Sequence, residues 1–354
     1  MKKSPKVTKI LSIDTSCDET AVAVTHEARI LSNAIASQAK LHALFGGVDP
    51  TTARREHKKL IDPTLKDALG KAGLDIEEID AVAVTVGPGL AVALEVGVAK
   101  AKELAKEHKK PLIAVDHMEG HLLSPFAKDE DGNFGVDNPQ FPALGLLVSG
   151  GHTELVLVRD FGDYELVGQT LDDAAGEAFD KVARILDLPY PGGPQLSRLA
   201  QKGDSKAFKF PVPLKQSGDL NFSYSGLKTA CLYEAQKLGK LTRAKKTDFA
   251  ASFQAAAVAH LVDKLRRAVL KYKPKMLLIG GGVINNRRLQ TEVKRLAERF
   301  KIPLHIPFSN SLLTDNAAMI GVAAYFKAKR GDIVRDVQKV ERVPDLTLEA
   351  PVNW

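Results

Sequence analysis

The sequence predicts an α/β fold of two duplicated lobes, each a mixed sheet flanked by helices. Three observations carry this. The length of 354 residues exceeds the size at which a single core keeps growing. A strand, polar turn, strand pattern occurs at 7–26 and again at 143–158, one copy for each expected lobe. A later strand runs through glycines straight into a helix, the order that turns a helix N-terminus toward an anion.

Element by element, "VTKILSID" (7–14) is a β-branched run ending at an acid, "TSCDET" supplies turn chemistry and "AVAVTH" alternates again. "AVAVTVGPGL" (81–90) is a buried strand entering Gly87-Pro88-Gly89, and "AVALEVGVAKAKELAKEH" continues with helical periodicity. "ALGLLVSGGHTELVLV" (143–158) repeats the opening hairpin around Ser149-Gly150-Gly151. "FAASFQAAAVAHLVDKLRRAVLKY" (249–272) is a long amphipathic helix, followed by the strand "KMLLIGGG" (275–282) and a helix over 286–300. "TDNAAMIGVAAYFKAK" starts the last helix with Thr314 or Asp315 as N-cap. The turn-rich "DEDGNFGVDNP" (129–139) is the expected lobe crossing. The expected division is therefore 7–128 for the first lobe, with the helix 315–330 packing back on it, 139–314 for the second, and a loosely held charged tail over 331–354.

A composition 44% apolar and 26% charged is that of a soluble globular protein. Cys17 and Cys231 are the only cysteines, which excludes a disulfide framework or a four-thiolate zinc site and points to a reducing compartment. The first apolar run breaks at Asp14, too soon for a signal segment or a membrane span, so a cytoplasmic location is expected. The formal charge is +7, and basic residues cluster at "RREHKK" (54–59), "RAKK" (243–246), "RRAVLKYKPK" (266–275) and "NRRLQTEVKR" (286–295). These are either solvated helix faces or a polyanion-binding surface.

"HMEGH" places His117 and His121 four apart, on one face of a helix and able to chelate one ion. It is not the H-E-x-x-H of a zinc protease: Glu119 sits about 200° around the helix from His117, where it cannot serve a metal-bound water. Ser149-Gly150-Gly151, Gly192-Gly193 and Gly280-Gly281-Gly282 are glycine turns able to expose backbone N–H groups to phosphate. No P-loop and no dinucleotide fingerprint accompanies them. What remains is a two-lobed nucleotide binder whose phosphates rest on hairpin turns, the architecture shared by actin, sugar kinases and heat-shock chaperones.

"DTSCDET" (14–20), "GGVDP" (46–50), "GPGL" (87–90), "HMEGHLLSP" (117–125), "LLVSGGHTEL" (146–155), "LDDAAGEAFDKVARILDLPYPGGP" (171–194), "FSYSGLKT" (222–229), "GGGVINNRRL" (280–289) and "TDNAAMI" (314–320) stand in one order. In these motifs the chain resembles the bacterial-type tRNA N6-adenosine threonylcarbamoyltransferases, the TsaD family, once called O-sialoglycoprotein endopeptidases. The resemblance runs from about residue 9 to 327.

It implies transfer of a threonylcarbamoyl group from threonylcarbamoyl-AMP to the N6 amine of the adenosine just 3′ of the anticodon, in tRNAs reading codons that begin with A. By resemblance, His117, His121 and Asp315 are metal ligands, for iron first and zinc second. Leu147, Val148, Ser149, Gly150 and Gly151 match the substrate-binding turn, and Asp180, Gly193 and Asn286 match the other adenylate-contacting positions. Glu19 matches an acid near the reacting group and is the expected catalytic residue. The implied partners are tRNA, a non-catalytic paralogue of TsaB type and a small P-loop ATPase of TsaE type, with no membrane.

Two other functions stay open on the residues alone. One is a metal-dependent glycoprotein endopeptidase, carried only by HMEGH. The other is a nucleotide-binding regulatory module or kinase-like protein, which the altered loop "GGVDPTTARR" (46–55), where the family reads "GGVVPELASR", keeps in view. Asp14 and Asp18 serve equally well as turn caps, Cys17 reads better as a small buried filler than as a nucleophile, and His57 has no motif support.

Overall fold

The computed structural model describes residues 7–350. The chain divides into two compact units, one made of Met1–Pro139 and His305–Trp354, the other of Gln140–Leu304. In the first, β1 (Lys9–Asp14), β2 (Glu19–His26), β3 (Arg29–Ser37), β4 (Ala81–Gly87) and β5 (Leu112–Asp116) form one sheet in the order β3-β2-β1-β4-β5. β1, β2 and β3 run antiparallel as a meander, while β4 pairs parallel with both β1 and β5. Four helices follow these strands: α1 (Ala39–His42), α2 (Pro50–Ala72), α3 (Ala91–Glu107) and α4 (His117–Leu123).

In the second unit, β6 (Ala143–Val148), β7 (Thr153–Asp160) and β8 (Asp163–Gln169) form the matching meander, and β9 (Met276–Gly280) pairs parallel with β6. β10 (Leu304–His305) completes the order β10-β9-β6-β7-β8. The helices are α5 (Ala175–Ile185), α6 (Gly192–Ala200), α7 (Ser225–Leu238), α8 (Arg243–Tyr272) and α9 (Arg287–Phe300). The two sheets thus share one strand order, and in each the central strand turns back through a polar turn. The third strand of each meander was not evident in the sequence. "RILSNAIAS" mixes Ser32 and Asn33 among its apolar residues, as an edge strand can.

α10 (Ala317–Arg330) belongs to the first unit and packs on β1, β2 and β5. The Ser12 hydroxyl, on β1, donates to the Ala317 carbonyl at 2.7 Å, pinning the start of the helix to the sheet. α2 packs on β2 and β3, and α3 on β4. The sheet is therefore covered on both faces, and β4 is buried from end to end, which is why it reads as an unbroken apolar run. Residues 305–314 group with this unit; Phe308 stacks on Phe134 with centroids 5.1 Å apart.

Two expectations need correcting. The N-cap of α10 is Asn316, whose side chain accepts from the Met319 amide at 3.0 Å, not Thr314 or Asp315. Asp315 stands one residue before the cap, and its carboxylate is left for other partners. As far as Leu346 the charged tail is not loosely held. Val334, Val337, Val340, Val343 and Leu346 recur every third residue and pack on the core of the first unit, Val340 and Leu346 being buried. The Val334 amide donates to the Leu112 carbonyl (3.0 Å) and the Val343 amide to that of Val86 (2.7 Å). A three-residue period fits neither an α-helix nor a strand, so it is invisible to a search for periods of 3.6 or 2. α8 also starts earlier than its apolar pattern, at Arg243, because Thr242 caps it through the Lys245 amide.

Asp80 accepts from the Thr8 amide, the Thr8 hydroxyl and the Lys9 amide at 2.8–2.9 Å, fastening the start of β1. Burial alone would raise this carboxyl, but those hydrogen bonds outweigh it and hold it below the usual aspartate range. Its stabilisation is therefore present above the unfolded value near 3.9 and fades as pH falls through the lower folded value. Urea midpoints of the native protein and Asp80→Asn should differ at pH 7 and converge in acid. Leu346→Ala, emptying a core position, should lower the unfolding free energy by about 2–3 kcal/mol in the same titration.

Candidate metal centre and glycine turn

In the first unit, β5 runs directly into α4, and Asp116 caps the junction by accepting from the Met118 and Glu119 amides at 2.6 and 3.1 Å. The cap fixes His117 as the first helical residue, so His121 lies one turn further on the same face. Both imidazoles are buried, with centroids 4.7 Å apart and planes at 85°. Asp315, shortly before α10, brings Oδ1 to 3.4 Å from His117 Nε2 and 3.2 Å from His121 Nε2. These donor atoms lie within 4.8 Å of one another. Donors about 2.1 Å from a shared ion sit roughly 3.0–3.4 Å apart in octahedral or tetrahedral geometry, so the two His–Asp separations match a shared divalent ion and the three groups are near enough to hold one.

A fourth group stands behind them. Asp14, at the end of β1 and fully buried, points Oδ2 at His117 Nδ1 across 3.6 Å, while its Oδ1 takes the Ser16 amide at 3.2 Å. It both closes the turn and faces the outer nitrogen of His117, the place from which a carboxylate sets an imidazole's tautomer and orientation. Burial pulls His117 down, but Asp315 and Asp14 more than offset that and hold it above its ordinary value. Asp315 is the counterpart: burial would raise it, and the two histidines hold it well below the carboxylate range.

Glu119, between the histidines in sequence, faces the other way. It is buried and meets Arg330 at 3.4 Å and Lys327 at 3.8 Å, both on α10. A Cβ on Gly120 would come within 2.8 Å of Ile320 Cδ1, so glycine is what lets α10 lie this close to α4. The carboxylate a protease would use as general base is thus committed to holding two helices together.

Glu19 opens β2 and accepts from the Ser37 hydroxyl at 2.9 Å. Burial, then the Asp18 and Asp315 carboxylates, push it up to about 9. It is not one of the clustered ligands, though it feels the charge of Asp315. Burial and Asp18 also push the Cys17 thiol up, which leaves it a poor nucleophile. Sequence reading overlooked His57, which is buried on α2. Its Nδ1 meets the Thr20 hydroxyl at 2.8 Å and its Nε2 donates to the Cys17 carbonyl at 2.9 Å, gripping the turn that carries Glu19. Burial keeps the ring below its ordinary value and hence neutral. No spacing in the sequence announces this role.

In the second unit, Leu147 and Val148 are buried in β6, and the exposed Gly150 and Gly151 form the turn into β7. The Ser149 amide donates to the His152 carbonyl at 2.9 Å, closing that turn. Gly176 and Glu177, in the first turn of α5, donate to the Ser149 and Gly150 carbonyls at 3.2 and 3.1 Å. Further along α5, Asp180 Oδ1 accepts from the Gly193 amide at the start of α6 at 2.7 Å. Burial raises Asp180 despite the amides of Gly193 and Gly192. Asn286 caps α9 through the Leu289 amide (3.1 Å), and its Nδ2 donates to Ser197 Oγ on α6 (2.9 Å) and to Gln254 Oε1 on α8 (2.6 Å). Gly281, at φ +94°, lets the chain leave β9 against the Val148 carbonyl, which a Cβ there would meet at 2.4 Å. The turn, Asp180, Gly193 and Asn286 are therefore successive stations of one hydrogen-bonded surface. Ser197 and Gln254, which link it, were not read from the sequence.

Duplicated sheets with glycine turns at their strand ends define a protein of the actin, sugar kinase and heat-shock chaperone class. The fold is also that of HypF from T. kodakarensis (TM-score 0.62, 14% identity, 93% of this chain and 49% of that one). It is shared with the ROK hexokinase of Thermus thermophilus (TM-score 0.50, 15% identity, 91% of this chain and 100% of that one). The family model described as TsaD, tRNA N6-adenosine threonylcarbamoyltransferase, matches residues 29–322. A protein of that name from Carboxydothermus hydrogenoformans (strain ATCC BAA-161 / DSM 6008 / Z-2901) is 48% identical over 323 residues, 91% of this chain and 93% of the relative. The chain belongs to the TsaD family.

His117→Ala combined with His121→Ala should abolish bound metal as measured by elemental analysis of the purified protein. A full metal complement in that variant would refute the ligand set.

Proposed function

We propose that the chain transfers the threonylcarbamoyl group of threonylcarbamoyl-AMP to the N6 amine of the adenosine 3′ of the anticodon, position 37, in tRNAs reading ANN codons. The observation that carries this reading is family membership across residues 29–322, with His117, His121 and Asp315 gathered in the first unit. The donor is a mixed anhydride with phosphate and is already activated, so the protein has to bind, orient and polarise rather than form a covalent intermediate. This agrees with a Cys17 thiol held in its protonated form.

The turn 147–151 is assigned to the adenylate, with Asp180, Gly193 and Asn286 completing its site. The side chain of Asn286 is engaged by Leu289, Ser197 and Gln254, so its part is to hold α9 against α6 and α8 as much as to meet the ligand. A divalent ion on His117, His121 and Asp315 supplies Lewis acidity and an anchor for ligand oxygens; two imidazoles and a carboxylate suit iron(II), with zinc the alternative. Glu19 is assigned to orienting the reacting group or handling its proton, and His57 to holding Glu19 in place.

The work is assigned to the cytoplasm, with a non-catalytic paralogue of TsaB type and a P-loop ATPase of TsaE type as partners. Among the described residues no helix is long and apolar enough to cross a membrane. An endopeptidase is disfavoured by the commitment of Glu119 to Arg330 and Lys327.

The protein, reconstituted with these partners, a source of the adenylate (ATP, threonine and bicarbonate) and unmodified tRNA, should yield threonylcarbamoyladenosine in the nucleoside digest by mass spectrometry. Persistent absence of that nucleoside would sink the proposal. Asp180→Ala should lower kcat/KM for the adenylate by at least about tenfold, the loss of roughly 1.4 kcal/mol of binding.

A further inference from the structure

The positive charge of this protein is concentrated in one unit. Gln140–Leu304 holds 26 lysines and arginines against 16 acids, net +10, and the remainder of the chain 24 against 27, net −3. Many of those cations are neutralised locally: Lys181 and Lys228 by Asp173, Lys246 by Asp187 and Arg267 by Asp263, at 2.5–2.8 Å. One group is not. Arg287 and Arg288, at the start of α9, line a cavity of ≈ 260 Å³ together with Ser197, Gln201 and Gln254. Arg198, Lys202 and Lys206 are carried by α6 and the turn after it, the segment that forms the facing wall. None of these five cations has an acidic partner among the described residues. The acid in their midst, Asp204, accepts from the Lys206 amide at 2.9 Å. Gln254 is buried, spends Oε1 on Asn286, and has no acceptor for Nε2 among the described residues.

Five uncompensated cations spread over two helices and a turn suit a repeating anion better than a single small one, because each charge then meets its own phosphate. Guanidinium groups in particular present paired donors to phosphate oxygens. We propose that this face of the second unit, with Arg287 and Arg288 lining its cavity and Arg198, Lys202 and Lys206 exposed on the segment that supplies the other wall, docks the phosphodiester backbone of the RNA substrate. This rests on the tRNA reading above, and it assigns that RNA a surface that the site residues do not include. The contacts are to backbone, so they fix where the RNA lies without reading its sequence.

The test uses the full chain and an unmodified tRNA transcript. Two variants are compared with the native protein: all five positions changed to alanine, and the triple Arg198→Ala, Lys202→Ala, Lys206→Ala, which leaves the cavity wall next to Asn286 untouched should the first misfold. A control, Lys106→Ala with Lys109→Ala, removes charge from the surface of the other unit. The five-position variant should bind tRNA at least about tenfold more weakly near 0.1 M salt, and the slope of log affinity against log salt should shrink by about one for each phosphate that the variant no longer neutralises. The triple should fall between it and the native protein, and the control should bind as the native protein does. Native-like affinity and slope in both variants, or an equal weakening in the control, would overturn the proposal. So would a defect confined to binding of a non-hydrolysable adenylate mimic with tRNA affinity intact. Failure of the tRNA reading itself shows separately, as a native protein that binds tRNA but modifies none.

Discussion

Burying two imidazoles and two carboxylates within a few ångströms of each other is costly unless every charge meets its opposite, each unpaired ion costing several kcal/mol. His117, with Asp315 on one side and Asp14 on the other, approaches that condition only jointly with them, while burial holds His121 below its ordinary value; the four come from three places in the chain: the end of β1, the junction of β5 with α4, and the approach to α10. The placement of each element follows. β1 and β5 are aligned through β4, so that both Asp14 and His117 leave the same edge of the sheet. The Asn316 cap delays α10 by one residue and turns Asp315 toward the histidines. Glu119 with Arg330 and Lys327 ties the far side of α4 to the far end of α10. The centre is thus clamped by a second charge cluster that touches none of its ligand atoms.

The two units share a strand order and differ in what they place at corresponding points. After β1 comes a polar turn with Asp14 and Glu19, and after β6 a turn of serine and glycines. Each lies beyond the carboxyl end of a central strand, where open α/β sheets put their ligands. After β4 and β9 come glycines and then a helix, α3 or α9. The first unit spends these positions on fixed carboxylates and imidazoles, the second on backbone brought close by small residues. One duplicated scaffold thus carries clustered imidazoles and carboxylates in one copy and glycine-lined backbone turns in the other.

Much of this could be read in the sequence because it rests on short-range chemistry. The strands β1, β4, β6 and β9 are apolar runs stopped by turn formers, and the histidine pair declares its helical face by spacing alone. The rest depends on distant neighbours. Nothing near Asp14 shows that His117 will arrive beside it, and nothing near His57 shows that it will hold the Cys17 carbonyl. The α10 cap was misplaced because Thr314, Asp315 and Asn316 are all good capping residues, and only the pull of two buried imidazoles decides among them. The tail was misjudged because its charges are conspicuous and its valines keep a period of three. The motif that marks Asn286 as a ligand position gives no sign that its amide also joins three helices, because Ser197 and Gln254 lie far from it in sequence.

The first unit is discontinuous, and this bears on the life of the chain before it reaches its final form. Its sheet is assembled from residues that precede the second unit, yet one face is covered by α10 and an edge of the core by the valine-spaced strap, both of which follow that unit in the chain. The second unit, by contrast, is continuous and complete by Leu304. Domains fold as units while the chain emerges, so the later unit in sequence is the first able to close. The earlier one waits with an apolar sheet face uncovered and two histidines lacking their carboxylate. The cluster of His117, His121 and Asp315 is for that reason completed late, only after the whole second unit has been made, and a product terminated before Asp315 would leave that sheet face uncovered.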